Sequence, residues 1–497
     1  MARPRNQQGV IVAYVLVFGG IALVLLGGLL GFVLTQLKMT EQKTSWNEAL
    51  NIAEAGIDYY RWCLNNGIEA NCTGEKDYTD SDGNRQGKFL LTIDATTICG
   101  QMVKRTISSS GWTNDFPSTR RAVKVLYARA SVAAYSGVIN DGVWFGNDEA
   151  LSGPFMANGG VRMDGPNQSL VSSAALLSLN GTTTGEWVCD YSYDCAKQNG
   201  TVVPCSATVT SQCCPVAHGC RISNSKCICP GVFTTTANSN ASLFQYPVSP
   251  FDFNAITIDL AAIKDKTQHG GGIYLPKSNT VNANGKGYHL KFQSDGTVKV
   301  YIVTATTGTY SYNTDLWDYF TIAGETPYST PVFTIPAACS AIYAEDNVWP
   351  EGTVKGKVTL ASANLIATDN IDTDIILGSN ITYSTSTSSG LVAIAEGNVF
   401  IGPQSPDNLE LHGIYVAQKG AFYRNDYSGN IKTNFVLYGS YISKARPNET
   451  WVNSDGSVES GYRNTAVNYD SNLIYDPPAF VPYITSDFKI VSWQEIN

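Results

Sequence analysis

The sequence predicts a mainly β protein led by one long helix, and three observations carry that expectation. The run 9–34, GVIVAYVLVFGGIALVLLGGLLGFVL, holds no charged residue. Beyond it, Trp46, Leu50, Ala53, Ile57, Tyr60 and Leu64 recur at alternating steps of four and three, the stripe of an amphipathic helix. From residue 67 onward the pattern changes to short apolar runs, rich in β-branched and aromatic residues and broken by Gly and Asn.

As a helix, the apolar run is roughly 39 Å long at about 1.5 Å per residue, enough to cross a hydrocarbon core of about 30 Å with some tilt. Arg3 and Arg5 precede it. The positive-inside bias therefore keeps the N-terminus inside and predicts a single-pass protein of the cytoplasmic membrane with everything after Leu34 outside. A cleaved secretory signal fits poorly, because the run exceeds the usual apolar core and no small-x-small site follows. The helix continues into water with Glu41, Lys43, Asn47, Glu54 and Asp58 on its polar faces, and Asn65-Asn66-Gly67 is a plausible stop. The expected rod spans 10–66. Gly20, Gly27 and Gly31 fall near one face of its apolar half, where small residues let a partner helix approach.

The chain has 497 residues, so two to four units are expected. Only 15% of residues are charged, and Gly (45) and Tyr (27) are abundant, which again favours strands and turns. A net charge of −9 without a basic block excludes a nucleic-acid partner. Twelve cysteines agree with an outside location, where disulfides persist.

These residues carry a resemblance. A short basic and polar leader ending at Gly9, an apolar segment of this length and an extension carrying Ala53-Glu54-Ala55-Gly56 resemble the N-terminus of type IV pilin-like proteins, in particular the PilX-type minor pilin group. The resemblance covers the first 65 or so residues. It implies a leader 1–9, removed by a prepilin peptidase between Gly9 and Val10, and association of the helix with other pilin-like subunits. Most pilins carry Glu at the fifth mature position, where this chain has Tyr14. A carboxylate in the membrane is costly, and in pilins it is taken to neutralise a neighbour's amino terminus. Its absence points to a tip or initiating subunit over a repeating one.

Strand-like runs at 88–93, 104–108 and 122–128 then make 67–132 a small pilin-like antiparallel head. Cys63 paired with Cys72 or Cys99 would staple the helix end to it, and spacing does not choose between them.

The remainder, 133–497, repeats a loose unit of short strands with Gly or Asn corners, at 142–165, 342–364, 391–401, 409–424 and 434–443. Units that cannot bury their apolar face alone predict a solenoid, here a right-handed parallel β-helix, with a β-sandwich as the alternative. The phrases also resemble β-helical ectodomains found behind pilin-type N-termini.

Two insertions are expected. The first, 187–230, holds Cys189, Cys195, Cys205, Cys213, Cys214, Cys220, Cys227 and Cys229. So dense a set outside the membrane reads as a disulfide-stapled minidomain, since so short a segment has little core. A metal site using these cysteines and His218 is the rival, but C-x2-C spacing is missing. Cys339 is either buried or paired with an N-terminal cysteine. The second insertion, 251–312, reads as a helix over Ile256, Ile258, Leu260 and Ile263, then a hairpin turning at Ser294-Asp295-Gly296. The segment 470–497 reads as a strap covering the last coil.

No chemistry stands out. His218, His269, His289 and His412 sit in unrelated contexts, and nucleophile-elbow, zincin and phosphate-loop motifs are missing. Asp369, Asp372 and Asp374 are weighed as a carboxylate pair for polysaccharide cleavage, as a calcium site, or as a plain turn; the turn is favoured. Trp144, Trp349 and Tyr423 are candidates for an aromatic ligand face, with core packing preferred. The expectation is a non-enzymatic surface protein without a cofactor: a minor or tip subunit of a type IV pilus or related filament, acting in assembly, adhesion or contact, with a surface or glycan ligand. The rivals are an uncleaved membrane-anchored adhesin or envelope scaffold and, less favoured, a membrane-tethered polysaccharide enzyme.

Overall fold

The computed structural model describes residues 8–68, 71–175, 186–189, 195–196, 202–203, 218–223, 226–254, 258–366, 371–453, 457–485 and 488–496. The chain divides into two compact units, one of Met1–Ala95, Arg105–Tyr127 and Ile490–Asn497, the other of Thr96–Lys104 and Ala128–Lys489.

The first unit is built on helix α1 (Gln8–Asn65), 58 residues long and so roughly 87 Å. Its second half lies on an antiparallel sheet in the order β1 (Gly74–Thr79), β2 (Arg85–Ile98), β3 (Gln101–Thr113), β4 (Arg121–Ala128) and the C-terminal strand Lys489–Ile496. The buried face of α1 is Ser45, Ala49, Ile52, Ala53, Gly56, Ile57, Tyr60 and Cys63. Of the six expected stripe positions, Ala53, Ile57 and Tyr60 are buried and three are not. Trp46 is 44% exposed, and Leu50 and Leu64 are only half-buried.

The reason is close approach. A Cβ on Gly111 of β3 would stand 2.4 Å from both the Ala49 carbonyl oxygen and the Ala53 nitrogen, and one on Gly56 would stand 2.2 Å from Ser109 Oγ. Helix and sheet backbones meet where side chains are smallest, which a search for large apolar residues overlooks.

The second unit is a set of parallel rows. Its longest row runs, in space, through Phe244–Gln245, Val171–Ser173, Phe155–Ala157, Gly137–Ile139, the end of Ile431–Ser443, the end of Asn408–Ala417, Gly390–Ala395, Lys357–Ser362, Ala341–Ala344 and Ile273–Leu275. One position threads all ten strands in register: Phe244, Val171, Phe155, Gly137, Tyr441, Tyr415, Ala393, Leu360, Ile342 and Ile273. Gly137 leaves room there for its neighbours, since a Cβ would stand 2.6 Å from the Phe155 ring and 3.1 Å from that of Tyr441. Further parallel pairings join Tyr288–Phe292 to Val348–Val354 and Ile375–Leu377 to Val399–Ile401. The parallel pairing throughout these rows excludes the antiparallel sandwich.

The long strands Asn408–Ala417 and Ile431–Ser443 each belong to two rows and turn a corner at Gly413 and Gly439. These two glycines are paired, with φ of +144° and +148°. A Cβ on Gly439 would stand 1.9 Å from the Gly413 carbonyl oxygen, so only glycine fits.

The rows are not filled in chain order. The chain enters mid-row at Gly137–Ile139, builds outward to Phe244–Gln245, restarts at the far end with Ile273–Leu275, and returns until Ile431–Ser443 pairs with Gly137–Ile139. This corrects the expected strap. The last parallel strands already pair with the first, Tyr441–Ser443 with Gly137–Ile139 and Thr465–Asn468 with Glu149–Ser152. The segment after them instead passes residues 131–132, where Ser131 N–H donates to the Ile474 carbonyl and Val132 N–H to that of Pro482, and Lys489–Ile496 joins the antiparallel sheet.

The 251–312 boundary also changes. A helix is present at Leu260–His269, with the Asp259 carboxylate accepting from Ala262 N–H at 2.9 Å. Tyr288–Phe292, however, is itself a member of the parallel rows. It pairs across 294–296 with Thr297–Ser311, which continues as a long two-stranded ribbon with Leu316–Thr334. In the Cys-rich stretch, Glu186–Cys189, Lys226–Pro230 and Arg221–Ser223 form a small antiparallel sheet.

Candidate functional site

The first half of α1 has every described side chain exposed: from Ile11 to Leu37 none is buried, and the most apolar 18-residue window has a mean hydropathy of 2.5. An apolar face all round is stable only against lipid or other helices. The segment is compatible with a single-pass membrane anchor. Gly20, Gly27 and Gly31 lie on it with nothing within 4 Å of where a Cβ would be, so their faces are open. Tyr14 is exposed, its ring beside that of Phe18 with centroids 6.4 Å apart. Gly9 and Val10 fall in the first turn of α1. Where the helix leaves its apolar run, Thr35 and Thr40 donate their hydroxyls to the carbonyls of Gly31 and Gln36, which satisfies them within the helix.

The Ala53-Glu54-Ala55-Gly56 segment has a mechanical explanation in this fold. Ala53 and Gly56 are the close-approach positions against β2 and β3, and Glu54 faces water. Around them, Arg105 Nη1 donates to the Tyr60 hydroxyl at 3.1 Å. Arg121 pairs with Glu495 and lies over the Trp46 ring at 5.0 Å, which accounts for the exposed tryptophan.

Cys63 is bonded to Cys72 at the end of α1, Cys99 to Cys339 within the second unit, and Cys220 to Cys229. Cys189 and Cys227 stand opposite one another in register, and Cys195 lies in the short strand Cys195–Ala196. Cys205, Cys213 and Cys214 are outside the described residues, as is Asp369.

The carboxylates of Asp372 and Asp374 do not face a common centre. Asp372 pairs with Lys419 at 2.5 Å, and Lys419 also reaches Glu396 at 2.8 Å. Those two hydrogen bonds hold the ammonium above its ordinary range. Asp374 accepts from the backbone N–H and side-chain amide of Asn398, and burial raises its carboxyl. Among the described residues no group of three or more His, Cys, Asp and Glu is arranged to hold a metal ion.

His269 pairs with Asp265, and His412 with Glu410. His289 has Nδ1 2.6 Å from Glu325 and Nε2 3.3 Å from Glu351, beside Lys291. The aromatic candidates are committed elsewhere. Trp144 donates to Asp164 under the Arg162 guanidinium, Trp349 is buried and donates to the Phe320 carbonyl, and the Tyr423 hydroxyl accepts from Asn313.

A cavity of about 170 Å³ between residues 143–149 and 441–452 is lined by Trp144, Phe145, Glu149, Tyr441, Arg446 and Glu449. Burial pushes the Glu449 carboxyl up to about 7, and burial together with the nearby Glu449 charge pushes that of Glu149 upward as well. Sequence reasoning did not join these two, because they are three hundred positions apart and meet only through the out-of-order stacking. Nor did it find the aromatic residues at the end of the Thr297–Ser311/Leu316–Thr334 ribbon, two of which, Trp317 and Tyr319, lie beyond the expected boundary at 312. The alternation in Leu316-Trp317-Asp318-Tyr319 was the available signal.

Neither a family model nor a curated protein matches the chain. Among solved structures, the competence-associated pilin ComZ from Thermus thermophilus is similar at 11% identity and a TM-score of 0.30, over 91% of this chain and 98% of that one. A score this low assigns neither fold nor function.

Proposed function

We propose that this protein is a non-enzymatic, pilin-like surface protein, with the parallel rows coiled as a right-handed β-helix. The observation that carries the reading is helix α1 itself. One continuous helix has an apolar half exposed on every face and a second half seated on an antiparallel sheet through Ala49, Ala53 and Gly56. This is how a subunit is built that is stored in a membrane by the first half and carries a folded head on the second. In this reading Gly9-Val10 is the processing site, and Gly20, Gly27 and Gly31 receive a neighbouring subunit's helix. Tyr14 suits a tip or initiating position, and the head supplies adhesion or contact.

N-terminal sequencing of the mature protein tests it. Val10 as first residue is expected; an intact leader on the assembled protein refutes processing and leaves a single-pass surface anchor. Substituting Gly27→Leu and Gly31→Leu is expected to leave membrane insertion intact and to reduce incorporation into filaments at least tenfold.

A further inference from the structure

The ribbon formed by Thr297–Ser311 and Leu316–Thr334 ends in two different faces. One is fastened to the parallel rows. Asp318 accepts from the Asn425 amide at 2.7 Å and from the Tyr427 hydroxyl at 3.0 Å. Asn313 donates to the Tyr423 hydroxyl at 2.9 Å, and Tyr312 N–H donates to the Asp426 carbonyl at 2.9 Å.

The opposite face carries Tyr310, Tyr312, Trp317 and Tyr319. Tyr310 packs edge-on against Tyr312 and Trp317, with ring centroids 5.1 and 5.7 Å away. Tyr319 and Trp317 lie over Gly308, where a Cβ would stand 3.0 and 3.2 Å from their rings. Tyr312, Trp317 and Tyr319 are nonetheless 62%, 59% and 59% exposed. A cross-strand aromatic pair stabilises a ribbon and accounts for Tyr310 and Trp317; it does not account for Tyr312 and Tyr319. Three exposed aromatic rings, packed on or beside the half-buried Tyr310 on a fastened support, form a pre-organised contact surface.

We propose that this face binds neutral sugar rings. Tyr and Trp offer wide, rigid, amphipathic area at little conformational cost, and the flat apolar side of a pyranose matches it. Charge selects the ligand further. From Thr304 to Thr334 the ribbon holds no Lys or Arg, and the Asp315 carboxylate stands beside the rings. An acidic polysaccharide, an anionic lipid surface and a nucleic acid are all disfavoured by that charge. Asp315, which accepts from the Tyr310 hydroxyl, supplies a carboxylate beside the rings for sugar hydroxyls.

The inference deepens the reading of the head as a contact surface. Its test does not depend on leader cleavage, so the two fail separately. The full chain in neutral detergent is titrated with cellohexaose, maltohexaose and chitohexaose by isothermal calorimetry. Binding of at least one is expected, reduced at least tenfold in Trp317→Ala/Tyr319→Ala and within about threefold of the original in Trp317→Tyr. Unchanged melting of the variants separates binding from folding, since these side chains project into water. Three outcomes overturn the proposal: no binding of any of the three sugars, binding undiminished in the double variant, or association with phosphatidylcholine vesicles that the double variant abolishes while sugars do not bind.

Discussion

In the first unit a single helix covers the sheet β1–β4, whereas the strands of the second unit cover one another row by row. The antiparallel sheet therefore depends on how closely α1 can approach, which small residues at Ala49, Ala53, Gly56 and Gly111 decide. The parallel rows depend on register, because Phe155, Gly137, Tyr441 and Tyr415 must occupy equivalent positions on successive strands. A fault in one should act on a helix–sheet interface; a fault in the other should propagate along the rows.

The largest contrast is expected from glycine substitutions. Gly439→Val places a side chain against the Gly413 carbonyl at a left-handed φ, a change expected to cost more than about 4 kcal/mol and to remove the β signal of the second unit in circular dichroism. Gly111→Val presses on the α1 backbone and is expected to cost about 3 kcal/mol, releasing the buried half of α1 to hydrogen exchange while the parallel rows stay protected. Equal loss of both signals in either variant would break the distinction.

The disulfides sharpen it further. Cys99 and Cys339 are 240 positions apart, and Cys63 and Cys72 only nine. By loop closure, Cys339→Ser is expected to cost about 5 kcal/mol and Cys72→Ser roughly 2.5 kcal/mol, read as urea midpoints.

The smallest effect is in pH dependence, and its sign differs between the units. Glu449 is pushed up to about 7 from an ordinary 4.5, so the folded state holds a proton that the unfolded chain releases. The second unit should lose stability as pH rises from about 4.5 to about 7, and Glu449→Gln should flatten that slope. In the first unit, Asp80 is held below its ordinary range by hydrogen bonds from Asn84 and Gln86. Its contribution is present above the ordinary carboxylate pKa and fades as pH falls below it. Melting temperatures across this range check both signs.

Much of the architecture could be read along the chain because it is local. An uncharged run fixes an exposed apolar helix, a switch from helical to strand periodicity marks where the sheet begins, and Ser294-Asp295-Gly296 turns a hairpin. The contact face of α1 was read only in part because apolar size guided the reading, while packing at Ala49 and Gly56 favoured the smallest residues. The strap was misplaced because covering an open last coil assumes that strands stack in chain order.

By itself the sequence determined the long helix, its apolar half, the strand-rich remainder and the glycine corners, all consequences of side-chain polarity and backbone freedom within a few residues. Tertiary structure alone decided that the last parallel strands pair with the first, that Glu149 and Glu449 share a cavity, that Cys99 reaches Cys339, and that three aromatic rings face water on one side of a ribbon. Those outcomes depend on which distant strands pair, and strand pairing is settled by registering whole faces against each other, a condition no local stretch of sequence contains.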